Sequence, residues 1–161
     1  ELAQELLVRL AEDAGDDDHP LLYRDAGQDA VAQPAHIPAG LQDFSREALA
    51  RALAQPLVLE RALGEYLTEP KPSVWFEPGD TRVMLEGVRL DRKSRMMYDA
   101  HHIFINGESY RAAGRDATLM RRLADERRLS ARDLARASDD ALELLSSWCD
   151  AGWAHVWAGG E

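Results

Sequence analysis

The chain has 161 residues, enough for one ordinary domain or two small ones, and hydrophobic residues make up 45% of it. Alanine (25) and leucine (22) supply most of that share, which points to a helix-rich protein with thin packing layers. The single cysteine, Cys149, excludes a disulfide framework and a multi-cysteine zinc site, and no apolar run approaches the length of a membrane span.

The opening Glu1-Leu2-Ala3-Gln4-Glu5 is no signal peptide. It lacks an initiator Met and already lies within a helical pattern, so the chain is expected to be a piece of a longer, cytoplasmic protein. Ala3, Leu6, Leu7 and Leu10 fall at helical spacing and mark the apolar face of a first helix ending at Gly15. The run Asp16-Asp17-Asp18 matches no calcium loop and reads as a solvated turn. Residues 16–40 form a long loop, broken by Pro20, Pro34 and Pro38, in which Leu21, Leu22 and Tyr23 can dock.

Two helices follow. Leu41, Phe44, Ala48, Leu49, Ala52 and Leu53 share one face, with Arg46, Glu47 and Arg51 largely turned away. Pro56 suits the first turn of the next helix, where a missing N–H costs nothing. There Leu59, Ala62, Leu63, Tyr66 and Leu67 form the most regular amphipathic stripe in the chain. Two short helices cannot bury both stripes against each other, so Phe44, Leu49, Leu53, Leu59, Leu63, Tyr66 and Leu67 are the expected interface of a homodimer.

Glu69-Pro70-Lys71-Pro72 cannot stay helical and marks a domain boundary, giving regions 1–70 and 71–161. The charge shifts at the same place. The net −10 of the chain divides into 14 acids against 5 bases in residues 1–70 and 15 against 14 in residues 71–161. Such an acidic first region is unsuited to wrapping nucleic acid.

Beyond the boundary the period becomes that of strands. Val74-Trp75-Phe76 reads as a short strand. Val88 to Tyr98 reads as a longer one, with Val88, Leu90, Arg92, Ser94, Met96 and Tyr98 on one face. Ile103-Phe104-Ile105, Asn106-Gly107 and Glu108-Ser109-Tyr110 make a hairpin. A helix over 115–128 buries Leu119, Met120 and Leu123. Ser130 and Asp133 form a capping box for a short helix reaching Ala137. Ser138 or Asp139 caps a third helix bearing Leu142, Leu145, Trp148 and Cys149, and Gly152 stops it. Trp153 to Ala158 close the chain as a strand. The fold class is α+β, mostly helical: a helical dimerisation region, then a winged-helix-like domain with a β-hairpin.

No catalytic, cofactor-binding or metal site is expected in this chain. A mononuclear iron site needs two His and a carboxylate, commonly as His-x-Asp/Glu. His19, His36, His101, His102 and His155 are followed two positions on by Leu21, Pro38, Ile103, Phe104 and Trp157. Adjacent His101 and His102 should point to opposite faces of a strand. Cys149 lies on an apolar stripe and reads as a core thiol. The third helix carries Asp139, Asp140, Glu143 and Asp150 with no base, which opposes specific DNA binding. Basic residues cluster instead at Arg89, Arg92, Lys93 and Arg95, and at Arg121, Arg122, Arg127, Arg128, Arg132 and Arg136. Arg outnumbers Lys 17 to 2, so general usage accounts for much of this, with a patch for an acidic partner or RNA as the alternative.

The series Ile37-Pro38-Ala39-Gly40, Gln55-Pro56 and Gly64-Glu65-Tyr66-Leu67-Thr68-Glu69-Pro70-Lys71-Pro72 resembles the C-terminal part of bacterial ribosomal oxygenases. Asn106-Gly107-Glu108 and Ala151-Gly152-Trp153 are similar to the same family. The resemblance covers nearly the whole chain, through the order and spacing of individually weak motifs. It implies the dimerisation and winged-helix part of a JmjC (cupin-fold) enzyme, a dioxygenase (an oxidoreductase) that uses Fe(II) and 2-oxoglutarate to hydroxylate a ribosomal protein arginine. Both cofactors are then expected on a missing N-terminal catalytic domain. The implied partners are a second copy, that catalytic domain and a ribosomal protein. The readings to be set against this one are a winged-helix DNA-binding regulator and a stand-alone interaction adaptor.

Overall fold

The computed structural model describes residues 1–15, 22–24, 26–27, 33, 35–79, 86–111 and 113–157. The expected Asp16–Asp18 turn, Leu21, Pro20, Pro34, His19 and Ala158 lie outside them. The chain separates into two compact units, residues 1–62 and 63–161. The division falls inside the third helix, ahead of the Glu69-Pro70 break that the composition suggests.

The first unit is helical. It contains α1 (Leu2–Gly15), α2 (Ala39–Leu53) and the first turn of α3 (Val58–Thr68). Between α2 and α3 the chain turns through Leu57, whose φ of 66° is a left-handed conformation. Pro56 therefore sits in that turn and not in the first turn of α3, because the positive φ of Leu57 breaks the helix after it. In this unit Leu10 and Ala62 are buried, while α2 buries none of its residues. Tyr23 packs its ring on Phe44 with centroids 5.4 Å apart, so the long loop does dock through an aromatic residue.

The second unit is the α+β winged-helix part. Its strands form two antiparallel sheets. One is ordered β5 (Arg128–Ser130), β1 (Gly87–Leu90), β6 (Ala154–Val156), and the other β2 (Met96–Tyr98), β3 (His102–Ile105), β4 (Glu108–Arg111). The helices α4 (Gly114–Glu126), α5 (Ala131–Leu134) and α6 (Asp139–Asp150) pack against them. Val88, Ile103, Ile105, Leu123, Leu129, Leu145, Trp148 and Cys149 are buried in one core.

Several local expectations hold. Asn106 and Gly107 take positive φ values of 50° and 91°, and Ile105 pairs with Glu108 across the two-residue turn. The Ser130 hydroxyl accepts from the Asp133 amide, and the Asp133 carboxylate accepts from the Ser130 amide at 2.9 Å, a complete capping box. Ser138, rather than Asp139, caps α6 by accepting from the Ala141 amide. Gly152 ends that helix at φ 74°, where a Cβ would collide with the Glu77 carbonyl.

Others need correction. Val74-Trp75-Phe76 is not a strand. Its backbone leads into a strap whose Gly79 amide donates to the Cys149 carbonyl at 3.1 Å, beside the end of α6. Val88 to Tyr98 is not continuous: it breaks after Leu90 into two strands of different sheets. Asp91 causes the break by capping a turn. Its carboxylate accepts from the Lys93 amide at 2.8 Å and faces His155 Nε2 at 2.8 Å, while the Arg127 guanidinium donates to the carbonyls of Asp91 and Ser94. Residues 128–130 form a strand, β5, that the helical reading of 115–128 overran. Arg127 ends α4 in the left-handed conformation at φ 60°.

Candidate functional site

The α2 helix buries no side chain fully: Leu41, Phe44, Ala48 and Ala52 are half-buried, and the Leu49 and Leu53 edge of its apolar stripe is exposed. Leu49 and Leu53 are 69% and 53% exposed, and Leu59 is 46% exposed in the first turn of α3. Phe44 is half-buried beneath Tyr23. The same unit exposes Leu2, Leu7, Val8 and Ile37. A single surface leucine is ordinary, but this many large apolar side chains on a small helical unit, whose buried residues among those described are Leu10 and Ala62, is the pattern of an interaction surface.

The remaining expected interface residues belong to the second unit. Leu63 and Tyr66 are half-buried and Leu67 is exposed. The α3 face that is buried in this unit is a different one, formed by Gly64 and Thr68. Gly64 lies against the Phe104 ring, and Thr68 Oγ1 accepts from the Gly107 amide at 3.1 Å. Glu65 accepts from Ser109 Oγ at 2.5 Å. Sequence periodicity missed this face because glycine, glutamate and threonine carry no hydrophobic signal. Leu2, Leu7, Val8 and Ile37 are exposed apolar residues outside the expected interface set. Their apolarity is visible in sequence, but their lack of cover is not.

In the winged-helix unit the acids of α6 stand as expected. Asp139, Asp140, Glu143 and Asp150 are exposed on a helix without a base. A cavity of about 170 Å³ lies beside it, lined among others by Tyr110, Arg111, Asp116, Asp140 and Trp148. Asp116 accepts from the Ser138 hydroxyl at 2.7 Å and its amide at 3.1 Å, and these bonds hold its carboxyl below the usual aspartate range. This role for Asp116 is not visible in sequence, because Ser138 lies 22 residues away.

The four described histidines do not converge. His36 and His101 are exposed, His102 is buried with Nδ1 facing Asp99 at 3.3 Å, and His155 faces Asp91. Among the described residues no three His, Cys, Asp or Glu side chains are grouped to hold a metal, so these residues do not fit an Fe(II) site. Cys149 is buried, and burial pushes its thiol up to about 11. Among the described residues no helix is long and apolar enough to cross a membrane.

Comparison with known proteins agrees with this architecture. The chain is similar in fold to the X-ray structure of Escherichia coli YcfD, with a TM-score of 0.74 and 18% identity, covering 94% of this chain and 44% of that one. The crystal structure of Escherichia coli ribosomal oxygenase YcfD gives a TM-score of 0.74 at 19% identity, covering 94% and 45%. Its complex with cobalt and 2-oxoglutarate gives 0.73 at 19% identity over the same shares. The chain thus spans less than half the length of the solved proteins it resembles, and at these identities the likeness is one of fold. No curated protein sequence matches the chain. The family model for the ROXA-like winged helix matches residues 48–155, from the middle of α2 to the closing strand, and the chain belongs to that family.

Proposed function

We propose that this chain is the dimerisation and winged-helix part of a 2-oxoglutarate- and Fe(II)-dependent ribosomal oxygenase, and that it pairs with a second copy through the helical unit. The observation that carries the pairing is α2, a helix with an apolar stripe and no buried residue. The family match and the fold shared with a ribosomal oxygenase over 94% of the chain support the wider reading. In this reading iron and 2-oxoglutarate belong to a catalytic domain outside this sequence, and no step of the hydroxylation runs through the residues described above. The winged-helix unit acts as a platform for that domain or for a ribosomal protein. The acidic α6 disfavours the DNA-binding alternative, because its exposed carboxylates would repel phosphates.

Sedimentation equilibrium tests the pairing. The parent chain should be a dimer at tens of micromolar and remain one at high salt, since apolar burial must overcome repulsion between two acidic units. Leu49→Asp with Leu53→Asp should be monomeric with an unchanged circular dichroism spectrum, because both side chains are exposed within one copy. A parent that sediments as a monomer would refute the pairing. The oxygenase reading is tested by the upstream coding sequence, which should supply a His-x-Asp/Glu pair and a second His.

A further inference from the structure

Between α4 and α5 lies a groove of about 270 Å³ lined by Arg115, Thr118, Leu119, Arg122, Asp133 and Arg136. Arg115, Thr118, Leu119 and Arg122 follow one another at i, i+3, i+4 and i+7, so α4 presents them on one face. Arg136 reaches the groove from the turn after α5. The three guanidinium groups are unequally engaged. Arg122 donates from Nε to Glu126 at 2.9 Å and from its first terminal nitrogen to Asp133 at 2.7 Å, leaving its second terminal nitrogen uncommitted. Arg115 and Arg136 are exposed and make no side-chain hydrogen bond among the described residues, though Arg115 interacts electrostatically with Asp116 and Arg136 with Asp133. Asp133 cannot neutralise all three. Its oxygens already accept from the Ser130 amide and hydroxyl and from Arg122.

We propose that this groove is an oxyanion site for the phosphates of single-stranded RNA. A tetrahedral phosphate offers oxygens to donors arriving from three positions, whereas a planar carboxylate is already satisfied by one guanidinium fork. A rigid duplex would bring more phosphates toward the unit whose α6 exposes Asp139, Asp140, Glu143 and Asp150, while a single strand can follow a short basic groove. Leu119 supplies an apolar floor with no stacking face, so binding is indifferent to base sequence. The groove lies within one chain, so this inference is independent of the dimer and of the oxygenase reading.

Fluorescence anisotropy with labelled octauridine tests it on the full chain. Binding should appear at low salt and fall with a log–log salt slope of about −2, the value for three phosphate contacts to a single strand. Arg115→Gln with Arg136→Gln should weaken binding about tenfold and reduce the slope to about −1. Arg89→Gln with Arg92→Gln removes the same charge at exposed positions elsewhere and should leave affinity within about twofold. Inorganic phosphate alone should shift the Thr118 and Leu119 amide resonances. The proposal is overturned by an absence of RNA binding at low salt, or by equal losses in both variant pairs, which would mean diffuse charge. It is also overturned if octaglutamate binds as tightly as octauridine, or if free phosphate outcompetes the RNA at equal concentration.

Discussion

Phe104 brings the far end of its ring so close to Gly64 of α3 that a Cβ on Gly64 would collide with it. Phe104 is 2% exposed and cannot swing away without disturbing the sheet. One turn further along α3, Thr68 Oγ1 donates to the Gly64 carbonyl at 2.8 Å while accepting from Gly107 at the tip of the hairpin. The end of α3 is thereby pinned along β3 and β4, and glycine is what allows the close approach.

Gly64→Ala should consequently destabilise the protein although alanine is the better helix former. The helix gain is about 1 kcal/mol, against about 1–3 kcal/mol for overpacking a filled site. Urea unfolding should show a net loss. Adding Phe104→Leu should recover part of it, so that the double variant is more stable than the sum of the singles predicts. Strict additivity would show that the two residues do not press on each other.

The capping box at α5 should be worth more than its four-residue helix suggests. Ser130→Ala should cost about 0.5–2 kcal/mol through loss of the cap. Asp133→Ala should cost more than Ser130→Ala, because Asp133 is 8% exposed and accepts from Ser130 and Arg122 together. Thermal unfolding of both variants checks the order.

Stability should fall in acid. The Ser138 hydroxyl and amide hold the Asp116 carboxyl low. The Ser130 hydroxyl does the same for Asp133 against the opposing effect of burial, aided by the Ser130 amide and Arg122. With both values lowered on folding, the unfolded chain binds more protons in acid, so stability rises with pH. The contribution is complete above the unfolded value of 3.8 and is lost as pH falls through the lower folded values. Urea midpoints measured from neutrality down to about pH 3 should show this decline, and Ser138→Ala should make it shallower.

Cys149 should be inert while the protein is folded. It is 1% exposed and its thiol is pushed up to about 11 by burial, so little thiolate exists near neutrality. Ellman's reagent should find no reactive thiol in the native chain and one equivalent after denaturation. Reaction in the native state at the denatured rate would contradict the packing at the end of α6.

What the sequence determined by itself is local. Asn106-Gly107 specifies the hairpin because both positions need positive φ, and Ser130 and Asp133 specify a helix start because they satisfy each other's amides. The apolar spacing of Leu119, Met120 and Leu123, and of Leu145, Trp148 and Cys149, places the winged-helix core. Tertiary structure decided the rest. The alternation from Val88 to Tyr98 is compatible with one strand. Whether it becomes two depends on Asp91, Arg127 and His155, which meet only when β5 and β6 have paired with β1 on either side. Likewise the stripe Leu59, Leu63, Tyr66 and Leu67 is legible, yet the face of α3 that is covered in the second unit carries Gly64 and Thr68, because the hairpin arrives there. Periodicity records which side chains are apolar, a property of each residue. Whether a face is covered depends on segments distant along the chain, and the α2 stripe, half covered at Phe44 and Ala48 but open at Leu49 and Leu53 in a single copy, shows the difference.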